Sequence, residues 1–439
     1  MAKNALLNRF EAAFGVIGVL ALVISYFLVT GTNPVPDLLA FLDRAGSLSS
    51  PEPEWTTTVG DQPASAIVLD DATIILIRGT VQARGTRTGR ELWRASADWS
   101  AIAGDGDTAM VLAGRRGHGL EALDPATGSA RWRDESAIGA WTFRTAVLTL
   151  GCAGSGPCVL ASRAPLDGAV RWKLTVPGLG RTNTGANHDV VGTRSPGGAF
   201  GDAPATVPAA LPALLGLSAE RRVEVLDLTA GKRLSAIPAG ADARVTIVGG
   251  RAVVTTAEPA DGGCKFTIEG RNASSGTVVW RRTGYDPHTV TGAGCEQRRA
   301  PAGGGGTLAV TRADGRPVLL SAADGREVWV GAADEAVQVA DEHSALVRSA
   351  DRKAVHAVDL ATGAVRWTHP LPARAALTLC PAAAIVLDQD IGRAVAYAPG
   401  SGKKLLSARL SADVLGCGES GLVLGRGRKV GVVAFTGTP

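Results

Sequence analysis

The chain reads as an all-β protein, a four-stranded unit repeated around a ring, preceded by one apolar helix. Three observations predict this. The phrase Ala-x-Asp-x-x-Thr-Gly-x-x-x-Trp ends at Trp132 and again at Trp367. Weaker copies return at roughly forty-residue spacing, the period expected of propeller blades. Between copies, the apolar and β-branched runs are too short for helices and are cut by turn residues, which suits strands.

The first element is a membrane helix at residues 12–30. Residues 12–29 are apolar apart from Ser25 and Tyr26. Eighteen residues at 1.5 Å rise span about 27 Å, close to the hydrocarbon thickness of a bilayer. Lys3 and Arg9 precede the run, so residues 1–11 are expected in the cytoplasm and the rest outside. No small-x-small cleavage pattern follows Val29, so the helix is expected to remain as a single-pass anchor. Residues 31–54 read as a juxtamembrane segment, with a short amphipathic stretch at 37–44 and a Pro-containing linker at 47–54.

Residues 55–437 read as the extracytoplasmic propeller. Aligned on the motif glycine, the copies fall at Gly89, Gly128, Gly168, Gly231, Gly276, Gly325, Gly363 and Gly402, with steps of 39, 40, 63, 45, 49, 38 and 39. A tryptophan stands four residues later at Trp93, Trp132, Trp172, Trp280, Trp329 and Trp367; Ser235 and Leu406 take its place in two copies. Six of the nine tryptophans in one phase mark a structural position. The Thr-Gly supplies a tight turn into the fourth strand, since glycine tolerates positive φ. The indole is then expected on the outer strand, filling the wedge between twisted blades.

The two ends complement each other. The tail, 421–437, resembles the second and third strands of a unit with no fourth. Residues 54–59, beginning Glu54-Trp55, resemble a fourth strand with nothing before it. Joining them closes the ring and removes an open edge. The count gives eight units plus a shared closing blade. Eight blades are favoured, because the unit ending at Gly231 is the least regular and propellers usually have four to eight; nine stays open.

These residues resemble the tryptophan-docking repeat of the quinoprotein-like β-propellers, which include pyrroloquinoline-quinone dehydrogenases and the lipoprotein scaffold of the outer-membrane β-barrel assembly machine. The resemblance covers about residues 55–437. The copies at Gly128 and Gly363 match fully; the copy at Gly89 keeps Ala83 and Thr88 but has Gly85 in place of Asp, and that at Gly231 keeps Asp227 without the Trp. The quinone enzymes imply two adjacent cysteines at the cofactor and a bound calcium. This chain has no Cys-Cys pair, so no cofactor and no metal are expected. It is more similar to the scaffold members, although their lipid-bearing cysteine is missing, the first cysteine here being Cys152.

Net charge is +4, with 45 basic against 41 acidic residues. That balance argues against nucleic-acid binding, which shows as a basic patch or stripe. Six cysteines outside a membrane suggest disulfides. Cys380 and Cys417 stand at equivalent places in successive units, Cys152 and Cys158 flank a hairpin-like Ala-Gly-Ser-Gly-Pro, and Cys264 and Cys295 remain. No Cys-x2-Cys spacing supports zinc.

No catalytic constellation emerges. Gly416-Cys-Gly418-Glu-Ser-Gly421 matches Gly-x-Gly-x-x-Gly, but a strand follows where a dinucleotide site needs a helix. Asp105 and Asp107 have two readings, a calcium contact and, favoured by turn preferences, a polar turn; His118, His188 and His288 read as solvated loop residues. Two insertions interrupt the period. The first, at about 176–219, contains the apolar run 207–217; Val207, Leu211, Leu214, Leu215 and Leu217 are candidates for partner binding if the run stays exposed. The alternative is that it folds back as an irregular strand of the weak blade. The second, at about 284–306, is polar and contains Tyr285, His288, Glu296, Arg298 and Arg299.

The functional expectation is a membrane-anchored, extracytoplasmic, non-enzymatic interaction scaffold or accessory subunit of a cell-envelope complex, with a protein partner and with lipid around the N-terminal helix. Two alternatives are a quinone-dependent dehydrogenase or its relic, and a small-ligand sensor using the central channel.

Overall fold

In a computed structural model of the chain, the described residues are 47–152, 157–176, 208–219, 222–239, 243–260, 263–288 and 303–436. The chain divides into two units, Met1–Leu48 and Ser49–Pro439, and the second is the propeller. Among the described residues no helix is long and apolar enough to cross a membrane. The anchor expected at 12–30, the amphipathic stretch at 37–44 and Val207 lie outside them.

The described residues form nine antiparallel sheets, which follow one another as blades 1 to 9. Blade 1 shows the pattern. Its strands Pro63–Val68, Ala72–Ile77, Thr80–Gly85 and Glu91–Ser96 pair in order from the ring axis outward. The three inner strands are nearly all buried because a neighbouring blade covers each face; the second, Ala72–Ile77, is almost wholly apolar, while the third also buries Gln82 and Arg84. The outer strand alternates between exposed and half-buried residues. Cores therefore lie in the seams. Ile74, Val81 and Ala83 of blade 1 pack on Ile102, Val111 and Leu123 of blade 2, and the other seams repeat this arrangement.

The ends close the ring as their sequences suggest. Trp55–Thr58 runs antiparallel to Lys429–Ala434, with Trp55 opposite Val432, and so supplies the fourth strand of blade 9. Blade 9 then packs on blade 1 through Val423, Val430 and Val432 against Ala66, Val68 and Ile75.

Two expectations are corrected. The ring has nine blades, not the favoured eight. The closing blade is a full sheet of its own, and the irregular unit ending at Gly231 also forms a separate sheet, made of Leu214–Ala219, Arg222–Asp227 and Lys232–Pro238. Its Gly231 turn joins the last two of these, so they are the second to fourth strands of blade 4. Within the expected linker, Ser49–Ser50 pairs with Arg409 and Leu410 and adds a fifth strand to blade 8.

Candidate interaction site

The repeated phrase builds the seams. In blade 2, Asp124 Oδ1 accepts from the backbone N–H groups of Ala126 and Thr127 and from the Thr127 hydroxyl. This side-chain-capped turn brings the chain round to Gly128 at φ +71°; a Cβ there would stand 2.5 Å from Cγ of Trp93. Glycine is required twice over, for its left-handed backbone and for the ring lying on it. The indole reaches across the seam, and Nε1 donates to the carbonyl of Pro125 at 2.8 Å.

The same bond recurs around the ring. Trp132 donates to Pro165, Trp172 to Leu228, Trp280 to Ala322 and Trp367 to Pro399, at 2.7–3.0 Å. Trp55 does the same to Thr86 and its ring covers Gly89. The motif spacing missed this sixth docked indole, because its strand precedes every repeat and joins blade 9 only through tertiary pairing. Ser235 keeps the bond without the ring: its hydroxyl donates to Ala273, the equivalent carbonyl of blade 5, and Gly276 faces open space. Trp329 departs from the pattern. It packs among Leu319, Ala340 and Ala345 in its seam, while Gly363 is crowded by the carbonyl of Val328.

Cys152–Cys158 and Cys380–Cys417 are both disulfides. The first bridges directly opposed residues of a hairpin in blade 3. The second joins the inner strands Ala375–Cys380 and Asp413–Cys417 of blades 8 and 9. Cys264 is disulfide-bonded as well, while Cys295 lies outside the described residues.

The apolar insertion answers to the second of its two readings. Leu214, Leu215 and Leu217 belong to the strand Leu214–Ala219. Leu215 and Leu217 are buried among Trp141, Phe143, Leu148 and Leu226, and Leu211 packs half-buried against the same cluster. A blade needs an apolar second strand, and this run supplies it; Leu215 and Leu217 are core residues and present no partner surface.

The approach to that strand does something the sequence did not show. Ala209 bridges in parallel to Phe143, and the N–H of Arg144 donates to its carbonyl at 2.9 Å. Glu342, in the first turn of blade 7, accepts from the N–H of Ala210 at 2.7 Å and pairs with Arg144 at 3.3 Å. In a ring of nine, blades 3 and 7 are as far apart as two blades can be. The turns of blades 3, 4 and 7 therefore meet across the axis and span this mouth of the channel.

Beside Glu342 lies a cavity of about 280 Å³, lined by Asp341, His343, Asp359, Arg366, Pro381 and Pro399. It falls just below the usual range for ligand pockets, and its carboxylates are already engaged. Asp341 accepts from the N–H groups of His343 and Ser344. Asp359 accepts from Ala361 and Thr362 and pairs with Arg366. The Thr362 N–H, followed by the Arg366 guanidinium, holds the Asp359 carboxyl down at about 2.

Asp105 caps a short turn with Thr108, which suits the polar-turn reading. His288 is not simply solvated: Nδ1 lies 3.0 Å from Asp286 and Nε2 3.0 Å from the Thr311 hydroxyl. In the second insertion Tyr285–Asp286 forms the inner strand of blade 6, and Tyr285 donates to Glu327 at 2.7 Å; Glu296, Arg298 and Arg299 lie outside the described residues. Among the described residues no three His, Cys, Asp or Glu side chains are grouped to hold a metal.

Fold and seams together define a closed β-propeller of tryptophan-docked repeats. The chain belongs to the family described as outer membrane protein assembly factor BamB, whose model matches residues 50–195 and 264–437. Among curated proteins no relative matches the sequence. Solved structures similar to it include BamB from Moraxella catarrhalis, at 17% identity over 81% of this chain and 98% of that one, with a TM-score of 0.37. A computationally designed protein, Ika8, matches at 12% identity over 86% and 98% with a TM-score of 0.38. A quinohemoprotein alcohol dehydrogenase from Pseudomonas putida HK5 matches at 12% identity over 90% and 78% with a TM-score of 0.36.

Proposed function

We propose that this protein is a non-enzymatic interaction scaffold of the cell envelope, held at a membrane by residues 12–30 with its propeller on the extracytoplasmic side. The observation that carries the reading is membership of the assembly-factor family over both halves of the ring. The chemistry of the ring supports it. Docked indoles are committed to seams and disulfides staple blades. One mouth of the channel is spanned by Ala209, Ala210, Arg144 and Glu342.

The test is mild crosslinking of the full chain in its own membranes, followed by identification of what is recovered. A membrane complex recovered in fixed ratio is expected. Recovery of the protein alone, at several crosslinker lengths, would remove the scaffold reading. Extraction of membranes at high pH tests the anchor separately: the full chain should stay with the lipid, and a chain lacking residues 1–46 should not.

A further inference from the structure

The nine fourth strands carry twelve Lys or Arg and three Asp or Glu, whereas the whole chain has 45 against 41. Charge is thus sorted onto the rim. On most basic blades it is answered from within. The third strand of blade 2 places Glu121 directly opposite Arg133, and that of blade 5 places Glu269 opposite Arg281. Burial raises the Glu269 carboxyl, but Arg271 and Arg281 outweigh it and hold the group below its ordinary value.

Blade 3 breaks the pattern. Ala161 occupies the ladder position of those glutamates, opposite Lys173. Lys173 and Arg171 are exposed and, among the described residues, have no ion-pair partner. Both lie on Val170–Val176, a seven-residue strand whose outer edge pairs with no other strand among the described residues. Large apolar side chains are exposed on the same blade: Val159 at 40%, Leu166 at 44% and Val170 at 43%. Val159 shares the face of Lys173, since it stands opposite Thr175 in the same ladder. The Cys152–Cys158 bridge braces the hairpin beside this edge.

We propose, resting on the scaffold reading, that the outer edge of blade 3 is a docking site for an acidic, extended segment of a partner protein, taken up as an additional strand. The free N–H and C=O groups of Val170–Val176 supply the ladder, as in other strand additions. Arg171 and Lys173 select for carboxylates on the face of the added strand that they share. The same charges guard against self-association, since the outer strands of a second copy are themselves mainly basic.

The test uses the full chain and two fluorescent ten-residue peptides alternating Val with either Glu or Lys. The Glu peptide is expected to bind and to protect the amides of residues 170–176 from hydrogen exchange; the Lys peptide is not. The double variant Arg171→Glu with Lys173→Glu should weaken binding about tenfold or more, as loss of steering and of paired rim charge requires. Lys404→Glu on blade 8 should leave it unchanged. If the reversal lowers the melting temperature, Arg171→Gln with Lys173→Gln gives the same comparison. Binding without protection of 170–176, binding insensitive to both variants, or no binding of the Glu peptide overturns the site. Crosslinking in membranes separates this from the broader reading. A complex captured equally by wild type and variant keeps the scaffold and removes the edge; no complex with wild type removes the scaffold.

Discussion

The seam between blades 1 and 2 and the seam between blades 4 and 5 do one job with different residues. At the first, Trp93 covers Gly128 and bonds the Pro125 carbonyl. At the second, the hydroxyl of Ser235 bonds the equivalent carbonyl of Ala273 and Gly276 has nothing above it. The comparison teaches that the turn carbonyl is the fixed part of the dock, because a backbone acceptor at a seam must find a donor. The indole adds apolar burial where the seam is wide enough to need it. A third solution closes blades 8 and 9. Leu406 replaces the tryptophan there, the Thr436 hydroxyl bonds the Leu405 carbonyl, and Cys380–Cys417 joins the inner strands.

The largest expected effect is at that third seam. Replacing Cys380 and Cys417 by serine should cost about 4 kcal/mol, because the bridge spans 37 residues; the same change at Cys152 and Cys158, only six apart, should cost about 2 kcal/mol. Denaturant titration of both pairs checks the ratio, and equal losses would show that the closing seam is held by other contacts. Trp93→Ala should follow at about 3 kcal/mol, from lost burial and a carbonyl left without its donor. Ser235→Ala should cost about 1 kcal/mol, because only the bond is lost.

Glycine substitutions sharpen the contrast. Gly128→Ala should be destabilising by about 3 kcal/mol, since the left-handed φ and the Trp93 ring both oppose a Cβ; Gly276→Ala should cost about 1 kcal/mol, from φ alone. Thermal melts of the two variants decide it. The smallest effect is in acid. Asp359 titrates at about 2 when folded, below its ordinary 3.8, so its contribution is complete above pH ~4 and lost as pH falls towards 2. Asp359→Asn should flatten the fall in melting temperature across that window and leave neutral pH nearly unchanged.

Much of this was legible in the sequence for a physical reason. Gly128 and Trp132 mark positions where backbone sign and ring volume admit few residues, so the repeat prints itself in the chain. The pairing of Trp55 with the C-terminal tail followed from the apolar tail and an unfilled place in the ring. The blade count did not follow, because the unit ending at Gly231 lacks both the full phrase and, among the described residues, an inner strand. The reading of 207–217 stayed double for a similar reason. An apolar run looks the same whether a neighbouring blade or a partner covers it, and only packing put Leu215 and Leu217 in the core.

By itself, then, the sequence determined the repeat, the turn chemistry, the ring closure and two pairs of cysteines placed where a bridge could form, all of which rest on local geometry or on spacing between units. The tertiary structure alone decided that Trp55 is a docking residue, that Glu342 meets Arg144 and Ala210 across the axis, and that Lys173 faces Ala161 where Arg133 and Arg281 face glutamate. Those facts depend on which residues of distant or neighbouring strands stand opposite one another, and register of that kind is set by the packing of the whole ring.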